Sequence, residues 1–137
     1  MQPQANIAIT GKEKQQLVKS QQGELDAVIL YRKLAEMTKG TKNKQTFLKI
    51  ATDEGKHAVI LRKYTGEKLE PKRTKALIIT VIYKTLGEKF TLKVIGKGEF
   101  KAAKEYLPLV DKFPNIKEII KDENLHGELM VSMLRGH

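Results

Sequence analysis

Two stretches of this sequence place a carboxylate and an imidazole three residues apart: Asp53-Glu54-Gly55-Lys56-His57 and Asp122-Glu123-Asn124-Leu125-His126. On a helix, residues at this spacing project from one face about a turn apart. Apolar residues at helical spacing flank both copies, which turns each Glu–His pair toward an interior. Burying a carboxylate and an imidazole is costly unless each finds a partner, and a metal ion suits both. One Glu-x-x-His is weak evidence, because such pairs are common on helix surfaces. Two on matching helices point to a shared metal site.

A second repeated spacing accompanies the first. Glu24 is followed seven residues on by Tyr31, and Glu99 seven residues on by Tyr106. Each Glu-x6-Tyr segment precedes an Asp-Glu-x-x-His segment, so the two halves read as copies of one helical hairpin. Glu24, Glu54, Glu99 and Glu123 then face inward together with His57 and His126. Oxygen and imidazole donors suit iron or manganese, and the lack of thiolates argues against a structural zinc site. Asp53 and Asp122 each precede a candidate ligand, and each is expected to accept the free N–H of a histidine on the facing hairpin, fixing its tautomer. Tyr31 and Tyr106 lie about 10 Å along the helix axis from Glu24 and Glu99. They are expected to hydrogen-bond carboxylates of neighbouring helices or to close the pocket. His137 is terminal and reads as idle.

The elements that must position these residues are helical. Periodicity predicts a first helix from about Gly11 to Lys39, with Leu17, Glu24, Val28, Tyr31, Leu34 and Ala35 on one face. Gly40 is expected to cap its end and Thr41 to cap the start of the next. The second helix, about Lys42 to Tyr64, turns Phe47, Ile50, Glu54, His57, Leu61 and Tyr64 inward, and Gly66 ends it. So short a turn makes these helices antiparallel neighbours. Pro71 keeps 67–71 out of a helix. The run Ala76–Tyr83 is β-branched enough to suggest a strand, but a lone strand among helices has nothing to pair with. A buried helix over Thr74–Leu86 is expected instead. A further helix, about Glu88 to Leu107, carries Leu92, Ile95, Glu99, Ala102, Ala103 and Tyr106 inward. Pro108 and Pro114 bracket a loop, with Pro114 expected in the first turn of a last helix, about Asn115 to Leu134. That helix shows Ile116, Ile119, Glu123, His126, Met130 and Met133 on one face. The whole reads as a single all-α domain over 1–137: a loose tail (1–10), hairpin one (about 12–66), a helical crossover (about 67–87) and hairpin two (about 88–135).

Composition narrows the function classes. The chain has no Cys, which excludes disulfides, iron–sulfur clusters and thiol catalysis and suits a cytoplasmic location. No signal peptide is evident at Met1–Asn6, and the longest apolar run falls far short of the ~20 residues of a spanning helix. The chain therefore reads as soluble, with no membrane required. Lys and Arg number 26 against 16 Asp and Glu, a net charge of +10. The lysines read as dispersed along the chain with no nucleic-acid motif beside them, so a solvated basic face is expected and nucleic acid is not.

At Glu24, Glu54, His57, Glu99, Glu123 and His126 the sequence resembles the rubrerythrin branch of the ferritin-like superfamily, over about residues 12–135. The resemblance implies a four-helix bundle holding a dinuclear carboxylate site, with one glutamate from each of two helices and a Glu-x-x-His from each of the others. Four carboxylates neutralise two divalent ions, and bridging carboxylates offset their mutual repulsion. It further implies two iron ions, with manganese or a mixed pair as the alternative, that reduce hydrogen peroxide or dioxygen as Fe(II) is oxidised. Gly87–Tyr106, with Phe90-Thr91-Leu92-Lys93 ahead of Glu99, is also similar to the ferritin-like domain of vacuolar iron transporter-type proteins. That likeness implies an alternative: a non-catalytic iron-binding, sensing or storage module working with a metal transporter. Two features depart from the rubrerythrin pattern. Without Cys there is no rubredoxin domain, so electrons must come from an external donor. The further glutamate expected a turn before Glu99 is replaced by Gly96. The apolar crossover is expected to be buried, either spanning the bundle or running straight into the next helix to give a domain-swapped arrangement. A homodimer is expected.

Overall fold

The computed structural model describes residues 8–136. Among them are five α-helices and no strand: α1 (Gly11–Met37), α2 (Thr41–Thr65), α3 (Thr74–Leu86), α4 (Glu88–Tyr106) and α5 (Ile116–Leu134). The protein is an all-α bundle of two helical hairpins with a helical crossover. α1 packs along α2, α4 packs along α5, and α2 meets α5 between the hairpins. The crossover helix α3 lies against α1 and α4. None of these helices is long and apolar enough to cross a membrane.

Local chemistry sets the helix ends. Thr10 caps α1: its hydroxyl accepts from the Glu13 N–H at 3.1 Å while the Glu13 carboxylate accepts from the Thr10 N–H at 3.0 Å. Ile9 packs on the core beside it, so the end of the expected tail is anchored; residues 1–7 and His137 lie outside the described residues. α1 stops at Thr38, whose backbone is extended, and Gly40 is the N-cap of α2 rather than the C-cap of α1. Thr41 is already helical. Gly66 (φ 70°) ends α2 in the left-handed region, where glycine has no Cβ to clash. Gly87 (φ 90°, ψ 170°) is the single residue between α3 and α4, and it breaks what would otherwise be one long helix. Leu107–Leu109 forms a 3₁₀ turn around Pro108, and Pro114 precedes α5, whose N-cap is Asn115.

Each helix of the two hairpins follows one plan: an apolar segment, a polar belt, and a second apolar segment. One cluster joins Leu34, Phe47, Ile50, Leu92, Ile95 and Met130; the other joins Leu17, Leu61, Tyr106, Phe113, Ile116 and Ile119. Burial of each such side chain stabilises the fold by roughly 1.5–3 kcal/mol, and the two clusters offset the cost of the charged belt between them.

One expectation is corrected. α3 is helical but not buried: only Ala76 and Ile79 are covered, while Leu77, Ile78 and Val81 are 64%, 56% and 60% exposed. The reason is geometric, since a helix lying across two others buries one narrow stripe whatever its other faces contain. Lys93, Lys97, Lys101 and Lys104 all fall on the exposed side of α4, part of the expected solvated basic face.

Candidate metal centre

The six candidate ligands converge in the belt. Glu24 comes from α1, Glu54 and His57 from α2, Glu99 from α4, and Glu123 and His126 from α5; all are buried. Helical spacing explains the convergence: each Glu–His pair projects from one turn of an inward face between the two apolar clusters. The side chains form two overlapping groups. Glu24, Glu54, His57 and Glu123 bring one ligand atom each within 4.8 Å of one another, and Glu54, Glu99, Glu123 and His126 do the same. Glu54 and Glu123 belong to both groups. The two imidazoles are nearly parallel, with centroids 6.2 Å apart.

The outer nitrogen of each histidine is held from the opposite hairpin. His57 Nε2 lies 2.7 Å from Asp122 Oδ2, and His126 Nε2 lies 2.9 Å from Asp53 Oδ2. Both Nδ1 atoms therefore point at the shared carboxylates. Lys49 lies 2.6 Å from Asp53 Oδ1. Burial raises the Asp53 carboxyl, but Lys49 and His126 outweigh it and hold it below the ordinary range. The tyrosines cross between hairpins as well: the Tyr106 hydroxyl donates to Glu24 Oε2 at 2.7 Å, and the Tyr31 hydroxyl donates to Glu99 Oε2. Burial, reinforced by those carboxylates, raises both phenols well above their usual range, so each keeps its proton.

The belt's ionisable groups are strongly shifted by burial and by one another. Burial pushes Glu24 and Glu54 up and takes Glu99 to about 7. Burial also raises Glu123, yet contact with His126 and His57 prevails and holds it at about 2. Burial alone would lower both histidines. Instead Glu123, Glu24 and Glu54 hold His57 far above its usual value, and Glu123 and Glu99 take His126 to about 10. Without metal, protons shared among these carboxylates and imidazoles balance the belt, and a cation binding there would take their place. Glu54 Oε1, Glu123 Oε1 and His126 Nδ1 are buried and make no well-formed hydrogen bond; they meet the imidazole nitrogens and carboxylates only through ion-pair contacts of 3.1 to 3.6 Å. Buried polar atoms without a well-formed hydrogen bond are rare and expensive, and all three belong to the ligand groups, Glu54 and Glu123 to both. Metal ligated by carboxylate and imidazole fits that donor set.

A matching family model covers residues 15–134, and the family is Rubrerythrin. The chain belongs to the rubrerythrin family. No curated protein and no solved structure matches it. Membership in the rubrerythrin family implies iron, and the buried carboxylate–histidine belt is the part of this rubrerythrin that can hold it. Gly96, where the further glutamate would stand, lies at a close approach of α4 and α5: a Cβ there would sit 3.2 Å from Met130 Cβ, so Met130 would have to yield.

Sequence reasoning missed a third component. A cavity of about 380 Å³ lies between α1 and α4 and reaches Glu24, Glu54, Glu99 and Glu123 from the surface. Gly23 and Ala27 line one wall, and Gly98 and Ala102 line the other. The signal was present: Gly23-Glu24-x2-Ala27-x3-Tyr31 recurs as Gly98-Glu99-x2-Ala102-x3-Tyr106. Only its Glu and Tyr positions attract notice as chemistry.

Proposed function

We propose that this rubrerythrin-family protein is a di-iron oxidoreductase that reduces hydrogen peroxide or dioxygen, with electrons returned by an external donor. The observation that carries the reading is the pair of overlapping ligand groups sharing Glu54 and Glu123. Glu54 and Glu123 would be shared by two cations, whose mutual repulsion their negative charge would partly cancel. Glu24 and His57 complete one position, and Glu99 and His126 the other. Iron held there would supply the electrons that reduce the oxidant. The chain's own residues do the rest. Asp53 and Asp122 keep the imidazoles in the tautomer that presents Nδ1 inward. Tyr31 and Tyr106 retain their phenolic protons against Glu99 and Glu24, holding those carboxylates in place. The apolar clusters above and below the belt exclude bulk water, and the opening between α1 and α4 admits the oxidant.

Anaerobic loading with Fe(II) followed by rapid mixing with hydrogen peroxide tests this reading. Two irons per chain, fast oxidation and repeated turnover with an added reductant are expected. Oxidation that occurs once and cannot be reversed by reductant would remove the enzyme reading in favour of an iron-binding module.

A further inference from the structure

The cavity between α1 and α4 is larger than hydrogen peroxide requires. Its volume of about 380 Å³ is on the order of ten water volumes at ~30 Å³ each. It falls within the ~300–1,000 Å³ range of small-molecule sites. Hydrogen peroxide has no apolar surface to bury, yet much of this lining is apolar: Leu30, Ile79, Val94 and Ile95 join Ala27 and Ala102 along it. Lys19, Lys75 and Glu105 stand at its exposed mouth, and the carboxylates of the belt lie at its inner end.

The glycines of the walls make the same point. Glycine in a helix interior weakens the helix relative to alanine, so each one calls for a reason. Gly96 and Gly127 have one in packing: an added Cβ would lie 3.2 Å from Met130 Cβ and 2.6 Å from the Phe100 ring, respectively. Gly23 and Gly98 have none. A Cβ at Gly98 meets nothing within 4 Å, and one at Gly23 meets only the Lys75 amine at 3.9 Å. Both line the cavity, Gly23 on α1 and Gly98 at an exposed position on α4, each immediately before a candidate ligand glutamate, and what they preserve is open space.

We propose that this cavity binds an organic hydroperoxide. Its alkyl or aryl body lies between Gly23, Ala27, Gly98 and Ala102, its O–O end meets the metal centre, and the four small residues set the size admitted. The proposal rests on the di-iron reading above. The reaction balances as ROOH plus two protons and two electrons giving ROH and water: the O–O bond breaks, and two ferrous ions supply the electrons and become ferric.

The chain has no cysteine, so Ala102→Cys introduces a single thiol into the wall. On full-length protein without added metal, cumyl alcohol, the unreactive product of cumene hydroperoxide, should slow maleimide labelling of this thiol several-fold. It should leave a thiol placed by Lys93→Cys on the outer side of α4 unaffected. On iron-loaded protein, Gly98→Leu and Ala102→Leu should lower the rate with cumene hydroperoxide, relative to hydrogen peroxide, by about tenfold or more, the scale on which hydrophobic pockets discriminate size. Absence of protection overturns the site. Protection with an unchanged rate ratio overturns the hydroperoxide as its substrate. A chain that binds no iron overturns the di-iron reading and the substrate with it, whereas thiol protection fails only if the cavity takes no such molecule.

Discussion

Glu54 and Glu123 differ from the other four belt residues because each belongs to both ligand groups. That difference predicts unequal substitutions. Glu54→Ala or Glu123→Ala should abolish loading of both ions, whereas Glu24→Ala or Glu99→Ala should leave one ion per chain; metal analysis after dialysis reads the stoichiometry. If Glu54→Ala still held two ions, the shared-ligand geometry would be wrong. Asp53→Ala and Asp122→Ala keep the inward atoms but release the imidazoles, and a loss of roughly 10–100-fold in metal affinity is expected from such partners. Metal binding should also release protons. His126, raised from 6.5 to about 10 by Glu123 and Glu99, carries a proton at neutral pH that a cation must displace. Metal affinity should therefore climb from about pH 6 to about pH 8, with acid liberated in an unbuffered titration. An affinity flat over that range would refute the assignment of His126 as a ligand. The linkage to folding runs the other way. A histidine with a raised pKa stabilises the fold fully below 6.5 and loses that contribution as pH rises through about 10.

At the scale of elements, the glycines separate packing from function. Gly127→Ala forces a methyl into the Phe100 ring and should cost about 1–3 kcal/mol. Gly98→Ala meets nothing and should gain about 0.5–1 kcal/mol from helix propensity. Thermal melts of the two variants should therefore shift in opposite directions. The same contrast shows how far the sequence was legible. Helix positions could be read because apolar residues at steps of three and four leave few alternatives, and α3 itself lies over the expected Thr74–Leu86. Its environment could not be read, because Leu77, Ile78 and Val81 look alike in sequence whether a neighbour covers them or not. The crossing of Asp122 to His57 and of Asp53 to His126 was legible from the duplication, since a repeated hairpin pairs its own elements reciprocally. The cavity was not, because glycine and alanine announce themselves only by what they leave open. The capping box at Thr10 and Glu13 was overlooked for another reason: a Thr-x-x-Glu signature means little until a helix is known to begin there.

For the molecule as a whole, the uncovered side of α3 argues for a second copy of the chain. Leu77, Ile78 and Val81, with Leu86 and Phe90 beyond them, expose large apolar side chains on a protein whose net charge of +10 otherwise favours water. Large apolar side chains clustered in one stretch of surface are the usual material of an interaction site. One helix face set against itself about a two-fold axis buries it on both sides at once. Light scattering should give twice the 15.5 kDa chain mass, and Ile78→Glu with Val81→Glu should halve it. All six candidate ligands converge within one chain and α3 lies against α1 and α4 of that same chain, so the halved form should still load two ions per chain. Gly87 leaves a second arrangement open to test, since straightening this one residue would hand hairpin two to the partner. Co-refolding Glu54→Ala chains with Glu123→Ala chains distinguishes the two. In an exchanged dimer, the intact hairpin one of one chain meets the intact hairpin two of the other, and a mixed dimer regains a complete site. In the arrangement seen here every belt keeps one defect, so the mixture should hold no more metal than either variant alone.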